Sequence, residues 1–279
     1  MFEKLKKLRK KNKKVMAILP LTDVISATSE GTVRKEGGSQ EILDFLYDLL
    51  DRNERVDGLL LRMDTPGGAA GASEEIAELV ARVKLERQIP VVVSIADICC
   101  SGGYMIACCA DEIFANKGSM TGSIGCILQL PNYQRLAEKA GVTTITIKAG
   151  KMKDIGNPMR PMTEEERVYL EAFAQETYEV FKAHVLEYRP QIKNQEEMFD
   201  GRPVGAVLAR ENGLIDSFGG YYDAYDALLH KMGEEDDHNV EINELVSKPG
   251  LLRRLLKSEL GLSPQNLLQQ LLKPFLQRC

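Results

Sequence analysis

The chain has little histidine: His184, His230 and His238 are the only three in 279 residues. None of them lies in a motif that looks catalytic. The chain also has no Gly-x-Ser-x-Gly sequence, the sharp turn that exposes the nucleophile of many serine hydrolases. These two absences argue against a Ser-His-Asp hydrolase. A serine nucleophile in this chain would therefore need a base other than histidine.

Long apolar runs are missing as well. The longest, such as residues 15–21 and 58–61, have the length of a strand. A membrane-spanning helix needs about 20 apolar residues. We therefore predict a cytoplasmic protein with no transmembrane segment and no signal peptide, and leave open a peripheral contact with the membrane.

The cysteines do not form a disulfide framework. Five of the six lie between residues 99 and 126, including the adjacent pairs Cys99-Cys100 and Cys108-Cys109. Zinc sites favour ligands that turns hold apart, and these pairs lie in apolar sequence. We therefore expect buried, reduced thiols and no bound metal. The sequence implies no organic cofactor either.

The net charge of -5 is unevenly distributed. Residues 1–14 carry +7 and residues 247–279 carry +5, which leaves -17 for the middle of the chain. A basic end beside an acidic body is typical of a segment that contacts anionic lipid, nucleic acid or a neighbouring subunit, and a solvated tail is the alternative. We predict no nucleic-acid partner, and we favour packing of the leucine-striped C-terminal end between subunits over membrane binding.

Short apolar strands alternate with helices, which predicts a layered α/β domain. The predicted strands are residues 15–21, 58–63, 90–96, 112–115 and 143–147, and the predicted helices include residues 42–50, 73–84 and 206–210.

Thr163 and Glu166 form a capping box that predicts a long helix. His184 lies on the apolar stripe of that helix, so we expect it to be packed or to lie in an interface. The predicted division is a basic arm (1–14), a catalytic domain (15–233), and an acidic loop with a leucine-striped helical tail (234–279).

Two strand-turn-helix units contain glycine pairs, in Pro66-Gly67-Gly68 and Ser101-Gly102-Gly103. Glycine allows a sharp turn, and the first turn of a helix leaves N–H groups without internal partners. Two such turns side by side can direct two N–H donors at one oxygen, as an oxyanion hole requires. Either turn alone is more typical of an ordinary strand-to-helix connection.

Lys153 is a candidate for the missing base. It lies in Gly150-Lys151-Met152-Lys153-Asp154, downstream of the Ser101 turn. A free lysine has a pKa of about 10.4 and is charged at pH 7. A lysine that accepts a serine proton must therefore be held neutral in a dry pocket.

From about Val15 to Gly233, the chain resembles the signal peptide peptidase family of SppA-like serine peptidases. The resemblance implies an α/β, Clp protease/crotonase-like layered fold of repeated strand-turn-helix units, here with a C-terminal helical extension. Its motifs are Asp64-Thr65-Pro66-Gly67-Gly68, Ser101-Gly102-Gly103-Tyr104, Thr121-Gly122-Ser123-Ile124-Gly125, Gly150 to Pro158, Asp200-Gly201-Arg202, Gly213-Leu214-Ile215-Asp216 and Gly219-Gly220.

The resemblance also assigns roles. Ser101 would be the nucleophile and Lys153 the general base, with Ser123 orienting the lysine amine. The N–H groups of Gly68 and Gly102 would form the oxyanion hole. Lys151 is then a solvated neighbour.

The implied activity is cleavage of hydrophobic peptides, such as signal peptide remnants or misfolded membrane-associated proteins. The implied assembly is a closed homo-oligomeric ring, for instance an octamer, in which adjacent protomers share each site.

The chain departs from the family pattern in three features. Cys99-Cys100 replaces the small residues, usually alanine, that precede the nucleophile, and a basic arm replaces a membrane anchor. The chain also holds one copy of the catalytic domain.

Two alternatives remain. A crotonase-like acyl-thioester enzyme also uses two amides as an oxyanion hole, but it would not need Lys153 or Ser123. An inactive scaffold that binds peptides or membranes is the other.

Overall fold

The apolar runs of the sequence become strands of one sheet in the computed structural model, which describes residues 13–26, 39–51 and 55–244. The strands are β1 (Lys14–Thr22), β2 (Gly58–Thr65), β3 (Val91–Cys100), β4 (Glu112–Ala115), β5 (Met120–Gly122), β6 (Pro203–Gly205), β7 (Ser217–Phe218) and β8 (Val240–Glu244).

Helices connect these strands within the described residues. They are α1 (Ser39–Asp51), α2 (Ala70–Arg87), α3 (Gly102–Ala107), α4 (Gln134–Lys139), α5 (Glu164–Tyr188), α6 (Gln195–Met198), α7 (Ala206–Glu211) and α8 (Tyr221–Lys231), and a 3-10 turn spans Asp237–Asn239.

The main strand order is β6-β5-β3-β2-β1-β8. β3 is long enough to pair with β4 along its first half and with β5 at its end, and β4 also pairs with β7. These pairs are parallel, whereas β5 and β6 are antiparallel. The carboxyl ends of β2, β3 and β5 therefore meet at one edge of the sheet, where ligands bind in open α/β sheets.

Both faces of the sheet are covered. Leu59, Leu61 and Met63 of β2 pack into the larger apolar cluster with α1, α2 and α3. Leu60 lies on the other face, in a smaller cluster with α8. This two-sided burial explains why β2 is a continuous apolar run, as is typical of parallel sheets.

The long helix α5 begins with the predicted capping box. Thr163 Oγ1 accepts a hydrogen bond from Glu166 N, and the Glu166 carboxylate accepts one from Thr163 N at 2.9 Å. Only part of the apolar stripe packs: Phe181 is buried, whereas Phe173 is 49% exposed. The first half of α5 therefore presents apolar side chains to the surface.

One predicted strand is wrong. Residues 143–147 form no strand, and Ile145 and Ile147 are 84% and 96% exposed. Their alternation of threonine and isoleucine resembles a strand, but they pair with none of the described strands. The motif at Gly213 to Asp216 forms no strand, and β7 begins just downstream of it, at Ser217.

The predicted fold class is confirmed, whereas the predicted domain division stays a prediction. The basic arm up to residue 12 and the tail from residue 245 lie outside the described residues. The last described strand, β8, pairs in parallel with β1 beyond the predicted boundary at residue 233. Among the described helices, none is both long and apolar enough to cross a membrane.

Candidate active site

Ser101 occupies the turn between β3 and α3 in an unusual backbone conformation, with φ 52° and ψ -124°. A side chain at positive φ is strained, and such strain is concentrated at functional sites. The turn is held from both sides, because Ser101 N donates to Gly122 O at 2.8 Å and Ser101 O accepts from Met105 N at 3.0 Å. The side chain is half-buried at the carboxyl edge of the sheet.

The second glycine turn lies against the first. Gly67 has φ 96°, and a Cβ atom placed on it would lie 2.8 Å from Ser101 Cβ and 2.7 Å from Gly102 N. Thr65 Oγ1 shapes this turn by accepting from Gly67 N at 3.1 Å and donating to Asp23 O. Only glycine allows the two turns to approach this closely.

Gly68 is fixed by Ile25, a residue that the sequence analysis did not select. Ile25 N donates to Gly67 O and Ile25 O accepts from Ala69 N, at 2.9 and 2.8 Å. The pattern is that of a parallel bridge in which the N–H of Gly68 takes no part. A Cβ on Gly68 would lie 1.9 Å from Ile25 O, so this position also requires glycine.

Gly102 packs on Ser73 of α2. A Cβ on Gly102 would lie 2.1 Å from Ser73 Oγ and 3.5 Å from Gly68 N. Across the described chain, neither Gly68 N–H nor Gly102 N–H donates to a protein acceptor. Two free N–H donors thus lie beside Ser101, and this is the arrangement that an oxyanion hole needs.

Ser123 follows β5 as Ser101 follows β3. Its φ is also 52°, and Cys100 pairs with Gly122 at the ends of the two strands. Ser123 Oγ donates to Gly201 O at 3.1 Å, and Ser123 N donates to Arg202 O at 3.0 Å. The Asp200-Gly201-Arg202 motif therefore positions Ser123, and Asp200 stabilises that loop by accepting from Arg202 N.

Lys153 does not join this group within the protomer. Its side chain is exposed, and in the described structure its Nζ makes no hydrogen bond or ion pair with Ser101 or Ser123. The predicted Ser101, Ser123, Gly68 and Gly102 are thus brought together, while the predicted base lies on the surface. Lys151 is exposed too and pairs with Glu165.

A charged network anchors the segment that carries Lys153. Asp154 pairs with Lys148 and Arg160, and Arg160 also pairs with the Glu166 carboxylate at the start of α5. Glu166 is only 2% exposed. The Arg160 guanidinium lowers the pKa of Glu166 to about 2 and that of Asp154 well below its usual range. The network therefore fixes the backbone next to Lys153.

The surroundings of Lys153 are open. From Gly125 to Glu165 no residue is buried. A cavity of about 290 Å³ lies between this segment and α5, and Leu130 and Leu170 are among its lining residues. Several large apolar side chains of the segment are exposed: Ile127, Leu128, Leu130, Tyr133, Leu136, Val142, Ile145, Ile147 and Met162.

The Tyr104 and Asp216 motif residues are structural. Tyr104 is fully buried, and its hydroxyl donates to Leu214 O at 2.8 Å. Asp216 accepts from Ile113 N at 2.8 Å and forms a bidentate pair with the buried Arg189. These contacts hold α3 and β4 in place behind the turn that carries Ser101.

The five cysteines of the described chain are free, and four of them are buried, as predicted. His184 is half-buried and contacts Cys109 and the Met105 carbonyl. It therefore packs beneath α3, away from the Ser101 turn.

Comparisons with known proteins agree with these motifs. The sequence profile of peptidase family S49 matches residues 83–233. A protein named "Putative protease MJ0651" from Methanocaldococcus jannaschii is 42% identical over 64% of this chain and 57% of its own length. A protein named "Putative signal peptide peptidase SppA" from Enterococcus faecium is 36% identical over 78% of this chain and 63% of its own length.

The chain thus spans about three fifths of the length of these relatives. Among solved structures, a membrane-bound stomatin-specific protease in complex with a substrate peptide superimposes with a TM-score of 0.50. The match covers 90% of this chain and 99% of that one, at 16% identity, and it supports the fold alone.

Proposed function

Because the chain belongs to peptidase family S49, we propose that it is a serine endopeptidase with Ser101 as nucleophile and Lys153 as general base. The observation that carries the proposal is the strained Ser101 between two unpaired N–H groups, those of Gly68 and Gly102. A crotonase-like thioester enzyme would share the two amides, but it would not need a strained serine beside them.

The proposed reaction follows from these positions. Ser101 Oγ attacks the scissile carbonyl carbon, and a neutral Lys153 amine takes the hydroxyl proton. The Gly68 and Gly102 amides stabilise the oxyanion, and loss of one such donor typically costs about 10²- to 10³-fold in rate. Lys153 then gives the proton to the leaving amine. The resulting acyl-enzyme is hydrolysed by a water that the lysine activates.

Lys153 comes from a neighbouring protomer in this mechanism, because its own protomer leaves it exposed and, among the described contacts, without a hydrogen bond to Ser101. The segment from Gly125 to Glu165 supports this assembly. It has no buried residue but carries many exposed apolar side chains, which mark an interaction surface. A closed homo-oligomeric ring would bury this surface and give the lysine a dry environment.

The proposed substrates are hydrophobic, extended peptides. The similarity to a protein named as a signal peptide peptidase supports signal peptide remnants or misfolded membrane-associated chains as their source. We place the extended substrate at the carboxyl ends of β2, β3 and β5, because Ser101 follows β3 there and is only half-buried.

Active-site labelling tests the nucleophile and the base. We expect a fluorophosphonate to label Ser101 covalently, and expect Lys153→Ala to abolish labelling while Lys151→Ala retains it. Labelling of another serine, or undiminished labelling of Lys153→Ala, would contradict the assignment.

Subunit mixing tests the shared site. Ser101→Ala and Lys153→Ala chains should each have little activity alone, but mixed oligomers should regain part of the activity, since some interfaces pair an intact serine with an intact lysine. Verified mixed oligomers that stay inactive would exclude sharing between protomers.

A further inference from the structure

Two adjacent cysteines and a distant histidine converge behind the active-site turn. Cys108 and Cys109 directly follow α3, and His184 lies near the end of α5. Cys108 Sγ, Cys109 Sγ and a ring nitrogen of His184 all lie within 4.8 Å of one another. Seventy-five positions separate Cys109 from His184, so only the packing of α3 on α5 creates the cluster.

A carbonyl oxygen completes the group. Met105 O lies 3.2 Å from Cys108 Sγ, 3.7 Å from Cys109 Sγ and 2.9 Å from His184 Nε2. Four atoms that can bind a metal therefore lie close to one another: two sulfurs, one imidazole nitrogen and one oxygen.

The spacing fits a small tetrahedral site. Zinc lies about 2.3 Å from thiolate sulfur and about 2.0–2.1 Å from imidazole nitrogen, so tetrahedral ligands of these two types are roughly 3.5 Å apart. Cys109 Sγ and His184 Nε2 are separated by 3.6 Å. This pair of ligand atoms is therefore already at the spacing of a tetrahedral zinc site.

A metal binds the thiolate form of cysteine, so an ion at this cluster would displace the thiol protons of Cys108 and Cys109. His184 is only half-buried and leaves a route for an ion from solvent.

We propose that Cys108, Cys109 and His184 form a binding site for one thiophilic metal ion, with Zn²⁺ as the expected occupant and Met105 O available as a fourth ligand. This site differs from the sequence-based expectation of no metal, because adjacent cysteines lack the usual zinc spacing. It is separate from the peptidase site and supplies no step of the proposed reaction. An ion here would link the end of α3 to α5, behind the turn that begins at Ser101.

The experiment uses full-length protein, reduced and stripped of metal by a chelator. Titration with Co²⁺ should give a near-ultraviolet thiolate-to-cobalt charge-transfer band that saturates at one ion per chain, and Zn²⁺ should displace the cobalt. Zn²⁺ should also raise the melting temperature, because a ligand that binds only the folded state stabilises it.

Matched variants locate the ion. Cys109→Ser should remove the thiolate band or reduce it, and His184→Gln should weaken zinc binding by more than roughly 100-fold, the upper range for loss of an outer-shell partner. Cys126→Ser and Cys279→Ser are the controls, since neither cysteine is one of the proposed ligands, and they should keep the band at full intensity. Circular dichroism checks that each variant is folded.

Two results would overturn the proposal, and the first needs no variant. Wild-type protein that takes up no Co²⁺, or takes it up without a thiolate band, has no such site, and the cluster is then only a thiol–imidazole contact. A band that Cys126→Ser or Cys279→Ser abolishes would place the metal elsewhere. Neither result bears on the labelling of Ser101, so this proposal and the peptidase assignment fail independently.

Discussion

The backbone N–H of Ser101 donates a 2.8 Å hydrogen bond to the carbonyl oxygen of Gly122, where β3 and β5 end. Ser101 and Ser123, the residues that follow this pair of strand ends, both have φ 52°. Strain of this kind costs about 1–3 kcal/mol per residue, so it persists only where the surrounding structure imposes it. The two serines are thus held side by side by the sheet itself.

Lys153→Ala should lower peptidase activity by about 10²- to 10⁴-fold, the usual contribution of a general acid–base group. Wild-type activity should rise with pH from neutral into the alkaline range, because only a neutral amine accepts the serine proton. The rate of peptide hydrolysis, measured over a range of pH values, checks both expectations. Lys151→Ala is the control and should keep the rate and profile of the wild type. An unchanged profile in Lys153→Ala would remove the lysine from the mechanism.

Ser123→Ala should slow hydrolysis by roughly fivefold or more, the equivalent of one hydrogen bond of about 1 kcal/mol, and should move the rise in activity to higher pH. The reason is that Ser123 would no longer orient the lysine amine. Steady-state kinetics across pH is the measurement. A lower rate with an unshifted profile would mean that Ser123 supports only the loop at Gly201.

Gly102→Ala should destabilise the protein by about 1–3 kcal/mol, because the added methyl group overlaps Ser73. In a Ser73→Gly background the same substitution should reduce stability less, since the overlapping Oγ and Cβ atoms of Ser73 are both absent. Urea denaturation of the two single variants and the double variant measures this coupling. Additive changes in the free energy of unfolding would mean that overlap with Ser73 is not what destabilises Gly102→Ala.

Loss of the hydroxyl group should change the free energy of unfolding differently at two buried tyrosines. Tyr104→Phe should cost about 1–3 kcal/mol, because Leu214 O loses its donor inside the core. Tyr225→Phe should be neutral or stabilising, since its buried hydroxyl has no partner among the described residues. Urea denaturation measures the stability of the two variants. Equal losses of stability would contradict the hydrogen-bond assignment.

Glu166→Gln should lower the melting temperature above pH 4.5, and this difference from the wild type should shrink as the pH falls towards about 2. Arg160 lowers the pKa of Glu166 from 4.5 to about 2, so the carboxylate stabilises the fold above its ordinary pKa and loses that effect on protonation. Melting curves at a series of pH values provide the test.

Glu176→Gln is the control on the same helix, at an exposed position, and should match the wild type throughout. A difference for Glu166→Gln that does not change with pH would indicate a packing effect instead of a charge effect.

Local patterns predicted much of the fold, whereas the roles of the five site residues rest on the family resemblance and stay predictions. The apolar runs predicted β1 and β2, and the capping box predicted the start of α5, because strand burial and helix capping depend on residues close in sequence. The glycine pairs predicted the turns at Gly68 and Gly102. They too are a local signal, because glycine allows the backbone to turn sharply.

Only the tertiary structure decided which distant residues meet. It placed Ile25 against Gly68 and Ser73 under Gly102, left residues 143–147 without a strand partner, and exposed Lys153 on an unburied segment. It also brought His184 to Cys108 and Cys109. Sequence determines a residue's periodicity and turn preference, whereas pairing, burial and ligand convergence depend on elements far apart in the chain that the fold brings into contact.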